Sequence, residues 1–266
     1  MKPKVSIITI TFNAGCFLKK TIESIITQTN KEFEYLIVDG GSKDNTTAII
    51  SQFDNLYFYS YFEALHREAT CSDKILWISE PDKGLYDAMN KAMDLAKGDF
   101  VWFINAGDKI YSSETLQQVV DAIDQNSEAD VVYGQTVIIG KDDEVLGERH
   151  RIAPAILTKR SLIDGLVVCH QSVIVRRNIA PQYDLTYKLT ADYDWMCRVL
   201  DVSRKNVYID GYLSKFQTAG LSSQRRKQSL KERFVIMKRH FGLLPTLWSH
   251  LCILVKYPFV TRKRVY

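Results

Sequence analysis

Four short apolar runs punctuate the first 105 positions of the chain, at 5–11 (VSIITIT), 35–39 (YLIVD), 75–79 (ILWIS) and 100–105 (FVWFIN). They are β-branched or aromatic and carry little polar alternation, the pattern of strands buried on both faces. Between them the apolar positions recur at helical spacing. Phe17, Leu18, Ile22, Ile25 and Ile26 share one stripe, a helix over 44–53 opens on the capping-type run Asp44-Asn45-Thr46-Thr47, and Leu85, Ala88, Met89, Ala92 and Leu95 or Ala96 line one face of a third. Strands alternating with helices predict an α/β chain with a doubly wound, mostly parallel, Rossmann-like sheet. Such sheets bind ligands beyond the carboxyl ends of their strands, which directs attention to 11–13, 39–42, 80–83 and 105–108. After residue 130 the regularity weakens to strands over 131–139 and 172–176 and a helix over 191–200. Residues 55–74, aromatic and then polar, carry no pattern that gives them a role.

Composition adds a division. The 266 residues are 46% hydrophobic and 25% charged, which excludes a disordered, collagenous or coiled-coil chain and suits one large domain or a domain with an appendage. The formal charge of +4 hides two unlike parts: residues 224–266 hold 11 Lys and Arg against the single acid Glu232, whereas residues 1–223 hold 24 basic and 30 acidic side chains. The boundary is therefore drawn at 223/224, with a body divided near 110 into two halves and a basic extension. Over 224–240 the basic clusters alternate with Leu230, Phe234, Ile236 and Met237 and lead into Trp248 and Leu251, the reading of a basic amphipathic helix on an anionic membrane surface. A helix packed on the body or on a partner subunit is the rival reading. No nucleic-acid motif accompanies the charge, so nucleic acid is not an expected partner. The longest uncharged apolar stretch there, 241–255, is 15 residues, short of the ~20 that span a bilayer. Five widely spaced cysteines without a C-x-x-C pair suggest neither a disulfide framework nor structural zinc, and fit a cytoplasmic setting, peripheral on the inner face of a membrane.

The strand ends carry the candidate chemistry. Asp39 precedes Gly40-Gly41-Ser42; its carboxylate can accept a hydrogen bond from a base edge or ribose hydroxyl, or can cap the next helix. The chain has neither G-x-G-x-x-G nor G-x-x-x-x-G-K-[ST], which argues against a dinucleotide fold or a P-loop. Asn105-Ala106-Gly107-Asp108 puts an acid beside a glycine at the tip of a buried strand, where it is either a solvated turn residue or a ligand for Mg²⁺ or Mn²⁺. Asp192 and Asp194 open a helix, one suited to general base and the other to cap. His170, followed by Gln171, reads as a structural histidine, and no H-x-x-x-H pair suggests a zinc enzyme.

Together the stretches KVSIITITFN, LIVDGGSKDNT, SEPDKGLYDAMNKAMDLAKGDFVWFINAGD, CHQSVIVRR and ADYDWMCRV, spread over about residues 3–200, resemble glycosyltransferase family 2 of the GT-A type, and more narrowly its bacterial branch that builds exopolysaccharide, capsule or O-antigen units. The resemblance implies an inverting hexosyltransferase, a nucleotide-diphosphate-sugar donor with UDP the expected nucleotide, a divalent cation (Mn²⁺ or Mg²⁺), and a glycan or lipid-linked glycan acceptor, polyprenyl diphosphate being the expected carrier. By position it implies that Thr11, Asn13 and Asp39 border the nucleotide and that Asp82, Lys83, Tyr86, Asn90 and Lys91 line the ribose and phosphate side. It implies further that Asn105, Gly107 and Asp108 form the metal turn, that Asp192 is the base, and that His170 and Gln171 lie near acceptor and diphosphate. The family's D-x-D reads N-A-G-D here, with one carboxylate, which implies weak metal binding without donor. A nucleotidyltransferase of similar topology is the enzymatic alternative, and an inactive scaffold the non-enzymatic one.

Overall fold

The computed structural model describes residues 2–53, 56–67, 75–218 and 225–260. Strands β1 (Val5–Thr11), β2 (Phe33–Asp39), β3 (Leu56–Phe58), β4 (Ile75–Ser79), β5 (Phe100–Phe103), β6 (Lys109–Ile110), β7 (Val131–Ile139), β8 (Val145–Glu148), β9 (Val173–Arg176) and β10 (Asn206–Gln217) form one sheet. Its order is β3-β4-β2-β1-β5-β9-β7-β10-β6, with β8 paired to β7. The helices are α1 (Gly15–Ile26), α2 (Thr46–Ile50), α3 (Tyr61–His66), α4 (Leu85–Leu95), α5 (Thr115–Gln125), α6 (Ala191–Val202), α7 (Arg226–Phe241) and α8 (Leu243–Val260).

Alternation along β1 explains the layers. Ile7 joins the core under α1 and α5, with Leu18, Ile22, Leu116 and Val119; Ile8 points the other way, to Met89 of α4, Trp195 of α6 and Ile236 of α7. Each strand of this region is apolar on both sides because both sides are covered. Chain order runs from β1 outward to β2 on one flank and returns to β5 on the other, so the switch point lies beside β1. Parallel register aligns the functional ends: Thr11 is opposite Asp39, Asp39 opposite Ser79, and Ile8 opposite Phe103.

Five of the nine strand pairings are parallel, all those among β1 to β5 included; β9 enters antiparallel between β5 and β7. The helix expected over 44–53 is shorter, Thr46–Ile50, because Asp44 uses its carboxylate on the Thr46 amide (2.9 Å) and hydroxyl and on the Gly15 amide (3.2 Å), holding a loop where a first turn was expected. Within the unassigned 55–74 lie β3 and α3, the latter opened by a Ser60/Glu63 capping box; the remainder of that stretch is outside the described residues. The sequence pattern also missed α5 and β10. In β10 a register break between Tyr208 and Tyr212 blurs the alternation.

The basic extension packs on the body through α7. Ile236 and Met237 are buried in the same core cluster as Trp195 and Met89. Among the described residues, no helix is long and apolar enough to cross a membrane.

Candidate active site

The loops after β1, β2 and β4 are tied to one another. Asn13, at φ 49°, donates its amide to Ser42 Oγ (2.8 Å) and accepts the Lys43 amide on Oδ1 (2.8 Å). Asp39 is fully buried and accepts from the Ser42 amide (3.0 Å), the Ser42 hydroxyl and the Ser79 hydroxyl (2.6 Å). These bonds occupy three of the ~4 lone-pair sites of a carboxylate and fix its orientation, leaving one direction for a ligand. Asp82 lies against Gly40, where a β-carbon would overlap its Oδ2, and accepts the Gly84 amide on Oδ1 (2.7 Å). Lys83 gives its amide to Asp87 (2.9 Å) and exposes its side chain.

The turn after β5 is held from three directions. Thr21 of α1 accepts the Gly107 amide (3.0 Å) and donates to the Asp108 carbonyl (2.8 Å), and Gly107 takes φ +104°, a conformation that L side chains rarely adopt. Asp108, 6% exposed, accepts from Gln171 Nε2 (2.7 Å) and from the backbone amide of Gln217 (3.0 Å). Burial pushes its carboxyl up to about 7, although those two donors act in the other direction. Gln217, at the end of β10, is a site residue that the sequence did not reveal; a glutamine closing a half-exposed strand carries no motif.

A divalent cation fits this turn. Asn105 Oδ1 and Thr11 Oγ1 are buried at neighbouring strand ends with no hydrogen-bond partner among the described residues. With the Asp108 carboxylate they make up a set of hard oxygen donors of the type Mg²⁺ and Mn²⁺ take. No group of three or more His, Cys, Asp or Glu that could hold a metal occurs among the described residues, so such an ion would draw most of its coordination from water and a bound diphosphate.

The second acidic group opens α6. Asp192 accepts on Oδ1 from the Tyr86 hydroxyl (3.2 Å) and the Tyr193 amide (2.9 Å). Burial raises its carboxyl above the ordinary range; the Tyr193 and Tyr86 hydrogen bonds and the charge of Arg233 act against that rise. Beneath it Tyr86 stacks on Tyr183 (5.6 Å) and Tyr183 on Trp195 (5.2 Å). His170 Nε2 meets the Tyr183 hydroxyl at 2.8 Å, and burial lowers the ring to about 4, so it is neutral near pH 7. Its contacts are those of a structural histidine under the site. Asn90 spends its amide on the Tyr183 backbone (3.0 and 2.7 Å) and Lys91 its ammonium on the Pro81 carbonyl (2.8 Å), so both brace the loops.

Asp194, two residues on, is chemically different. It is completely buried and meets Arg198 Nε (2.7 Å) and His240 Nε2 (2.8 Å). Burial pushes it up, but the His240 hydrogen bond and the Arg198 charge outweigh that and leave it below the ordinary range. Glu232 of α7 accepts the amides of Leu189 (2.9 Å) and Thr190 (3.2 Å) and the Thr190 hydroxyl (3.2 Å), immediately before α6. The lone acid of the basic extension thus anchors α7 at the mouth of the helix that carries Asp192.

A GT-A sheet with carboxylates on both sides of its switch point is the scaffold of a nucleotide-sugar transferase. The chain belongs to glycosyl transferase family 2, whose family model matches residues 6–183, and it is a glycosyltransferase. It is 32% identical over 200 residues to a PGL/p-HBAD biosynthesis glycosyltransferase of Mycobacterium bovis (strain BCG / Pasteur 1173P2), covering 74% of this chain and 69% of that one. It is 29% identical over 232 residues to an uncharacterized glycosyltransferase of Mycobacterium tuberculosis (strain ATCC 25618 / H37Rv), covering 86% and 80%. Among solved structures, S. aureus TarS 1-349 in complex with UDP-GlcNAc superposes with a TM-score of 0.66 at 18% identity, covering 100% of this chain and 77% of that one. The mannosyltransferase PcManGT from Pyrobaculum calidifontis, in complex with GDP-Man and Mn2+, gives 0.62 at 14%, covering 94% and 69%.

Proposed function

We propose that the protein transfers a sugar, with inversion, from a UDP-sugar to a hydroxyl of a lipid-linked glycan acceptor in cell-surface polysaccharide or glycolipid synthesis. The observation that carries the mechanism is Asp192: a carboxyl raised by burial and steered by Tyr86, carried on α6 and not on a strand-end loop like Asp39 and Asp108. Asp39 and the loop around Asn13 and Asp82 would take the nucleoside. Asp192 would remove the acceptor hydroxyl's proton as that oxygen forms its bond to C1 of the sugar. The C1–O bond to the diphosphate breaks on the opposite face, its electron pair leaves with the UDP, and the proton ends on Asp192. Asp108, Asn105 and Thr11 would hold Mn²⁺ or Mg²⁺, which supplies positive charge to the leaving diphosphate. The UDP-GlcNAc complex of TarS supports UDP as the donor nucleotide. The test is a panel of UDP-, GDP- and dTDP-sugars followed by thermal shift and by release of nucleoside diphosphate; a shift from UDP-sugars with slow UDP release is expected, and stabilisation by GDP-sugars alone would exclude UDP.

We further propose that the 224–266 extension holds this body at an anionic membrane on the cytoplasmic side. Leu244 (78% exposed) and Trp248 (68% exposed) of α8 line a groove of about 990 Å³ together with Ile163, Asp164 and Phe241, while Arg225, just before α7, and Arg226, Lys227 and Lys231 on it are exposed. An apolar face flanked by cations suits a headgroup boundary. Sedimentation with phosphatidylglycerol vesicles at low salt should carry the protein down, and Trp248→Ser with Leu244→Ser should leave it in solution; failure of the wild type to sediment removes the membrane from the account.

A further inference from the structure

Three arginines from distant parts of the chain converge at Gly165. Arg149 and Arg151 follow β8, and Arg233 projects from α7. A β-carbon at Gly165 would overlap Arg233 Nη2 and stand 3.5 Å from Arg151 Nη1; the glycine, at φ +111°, leaves the space the guanidinium groups occupy. Arg149 gives Nη2 to the Leu166 carbonyl (3.0 Å), while its Nη1 is buried with no hydrogen-bond partner among the described residues. All three side chains are half-buried. Among the described residues, no carboxylate lies within ion-pair distance of any of them. Asp164, whose charge favours the Arg151 cation, already accepts from Ser249 Oγ at 2.6 Å.

Clustered like charges cost energy, more so when partly desolvated. Burial first, and then Arg233 and Arg149, press Arg151 below its ordinary range, so the cluster feels its own repulsion. Arginine forks match phosphate oxygens geometrically and relieve that repulsion when an anion enters. The position gives the anion a meaning: the charge of Arg233 reaches Asp192, and Asp164, next to Gly165, also lines the apolar groove under α8.

We propose that Arg149, Arg151 and Arg233 form a binding site for a phosphate or diphosphate ester carried by the acceptor, separate from the donor diphosphate at the strand ends. The inference rests on the transferase reading above and adds to it the part of the acceptor that is gripped while its hydroxyl meets Asp192. The glycine keeps the cluster compact, and the groove beside it would receive an apolar chain attached to the same phosphate.

Calorimetry on the full chain with UDP and Mg²⁺ held saturating tests it, using inorganic pyrophosphate and then farnesyl diphosphate as probes. One further equivalent of pyrophosphate should bind, and Arg149→Gln and Arg151→Gln should each weaken it by roughly tenfold or more, the scale of a lost charge-assisted hydrogen bond, while UDP affinity stays within about twofold. Arg151→Lys, which keeps the charge and loses the fork, should fall between. Farnesyl diphosphate binding more tightly than pyrophosphate would make the source a lipid; equal affinity would make it a water-soluble phosphate ester, and either upholds the site. Pyrophosphate that binds only by displacing UDP, or with unchanged affinity in variants whose near-UV circular dichroism is native, overturns it. A wild type that binds no UDP but still loses pyrophosphate in the arginine variants would sink the transferase reading and leave the anion site standing.

Discussion

The strand-end loops and the α6–α7 side of the molecule are built in opposite ways. At the ends of β1, β2, β4 and β5, short side chains and backbone amides lock four loops together: Asn13 to 42–43, Asp39 to Ser42 and Ser79, Thr21 to Gly107 and Asp108. On the α6 and α7 side, long charged side chains reach across large sequence separations: Glu232 to Leu189 and Thr190, His240 to Asp194, Arg233 to Gly165. The first region is preorganised by short hydrogen bonds within a parallel register, suited to a common nucleotide. The second is assembled by docking one helix, and under the proposed function it is the side that meets the acceptor.

Substitutions on each side should separate these roles. The largest effect belongs to Asp192→Asn, expected to lower kcat by ~10³-fold with donor affinity kept, since general-base catalysis is worth ~10²–10⁴; single-turnover kinetics with donor titration checks it, and near wild-type turnover would remove Asp192 from the reaction. Next, Asp108→Ala or a chelator should cut UDP-sugar turnover by about 10²-fold, with the variant insensitive to added Mn²⁺. Undiminished wild-type turnover in chelator would break the cation's part.

Glu232→Gln weakens three hydrogen bonds at the start of α6 without touching the strand-end loops. The expected result is a loss of ~1.5–3 kcal/mol of stability, since charged hydrogen bonds are worth that much, together with a raised acceptor KM and an unchanged donor Kd. A raised donor Kd instead would mean that the two sides are not separable.

Acid tests the same docking. Asp194 and Glu232 both titrate below the ordinary range in the fold, so they contribute stability above their unfolded values of ~3.9 and ~4.3, and that stability is lost as pH falls through the lower folded values. Hydrogen exchange should therefore show α7 amides losing protection between about pH 5 and pH 3 before those of β1 and β2, and Asp194→Asn should show the loss at pH 7. The smallest effect is that of Tyr86→Phe. Removing a donor to the Asp192 carboxylate raises its pKa further, so the acidic limb of the pH–rate profile should move to higher pH, with kcat changed by only a few-fold at pH 8.

The strand-end region was legible because each of its residues closes its strand or follows it within five positions, and a buried apolar run ending in Asp-Gly or Asn-Ala-Gly-Asp is a local signal. Asp39 and Asp108 could be singled out from it as candidates, whereas Thr11, Asn13 and Asp82 were candidates through the resemblance to glycosyltransferase family 2. Gln217, Arg149, Arg151 and Arg233 could not, because nothing within a few residues distinguishes them from other polar positions; their placement depends on the β10 register and on where α7 lands. Glu232 stood out in sequence as the one acid in a basic segment, without its partner being apparent.

Asp192 and Asp194 divide the two kinds of information most sharply. Apolar spacing and the Ala-Asp-Tyr-Asp-Trp opening place both at the start of one helix and make either a candidate base or cap. Two residues apart on a helix of 3.6 per turn, they point to different sides. Tertiary packing gave Asp194 to Arg198 and His240, which hold its carboxyl below the ordinary range, and gave Asp192 to Tyr86, where burial raises its carboxyl above that range. Local periodicity fixes which residues share a helix, whereas the charge a carboxylate carries depends on what packs against it, and here distant helices supply that, α4 with Tyr86 for Asp192 and α7 with His240 for Asp194.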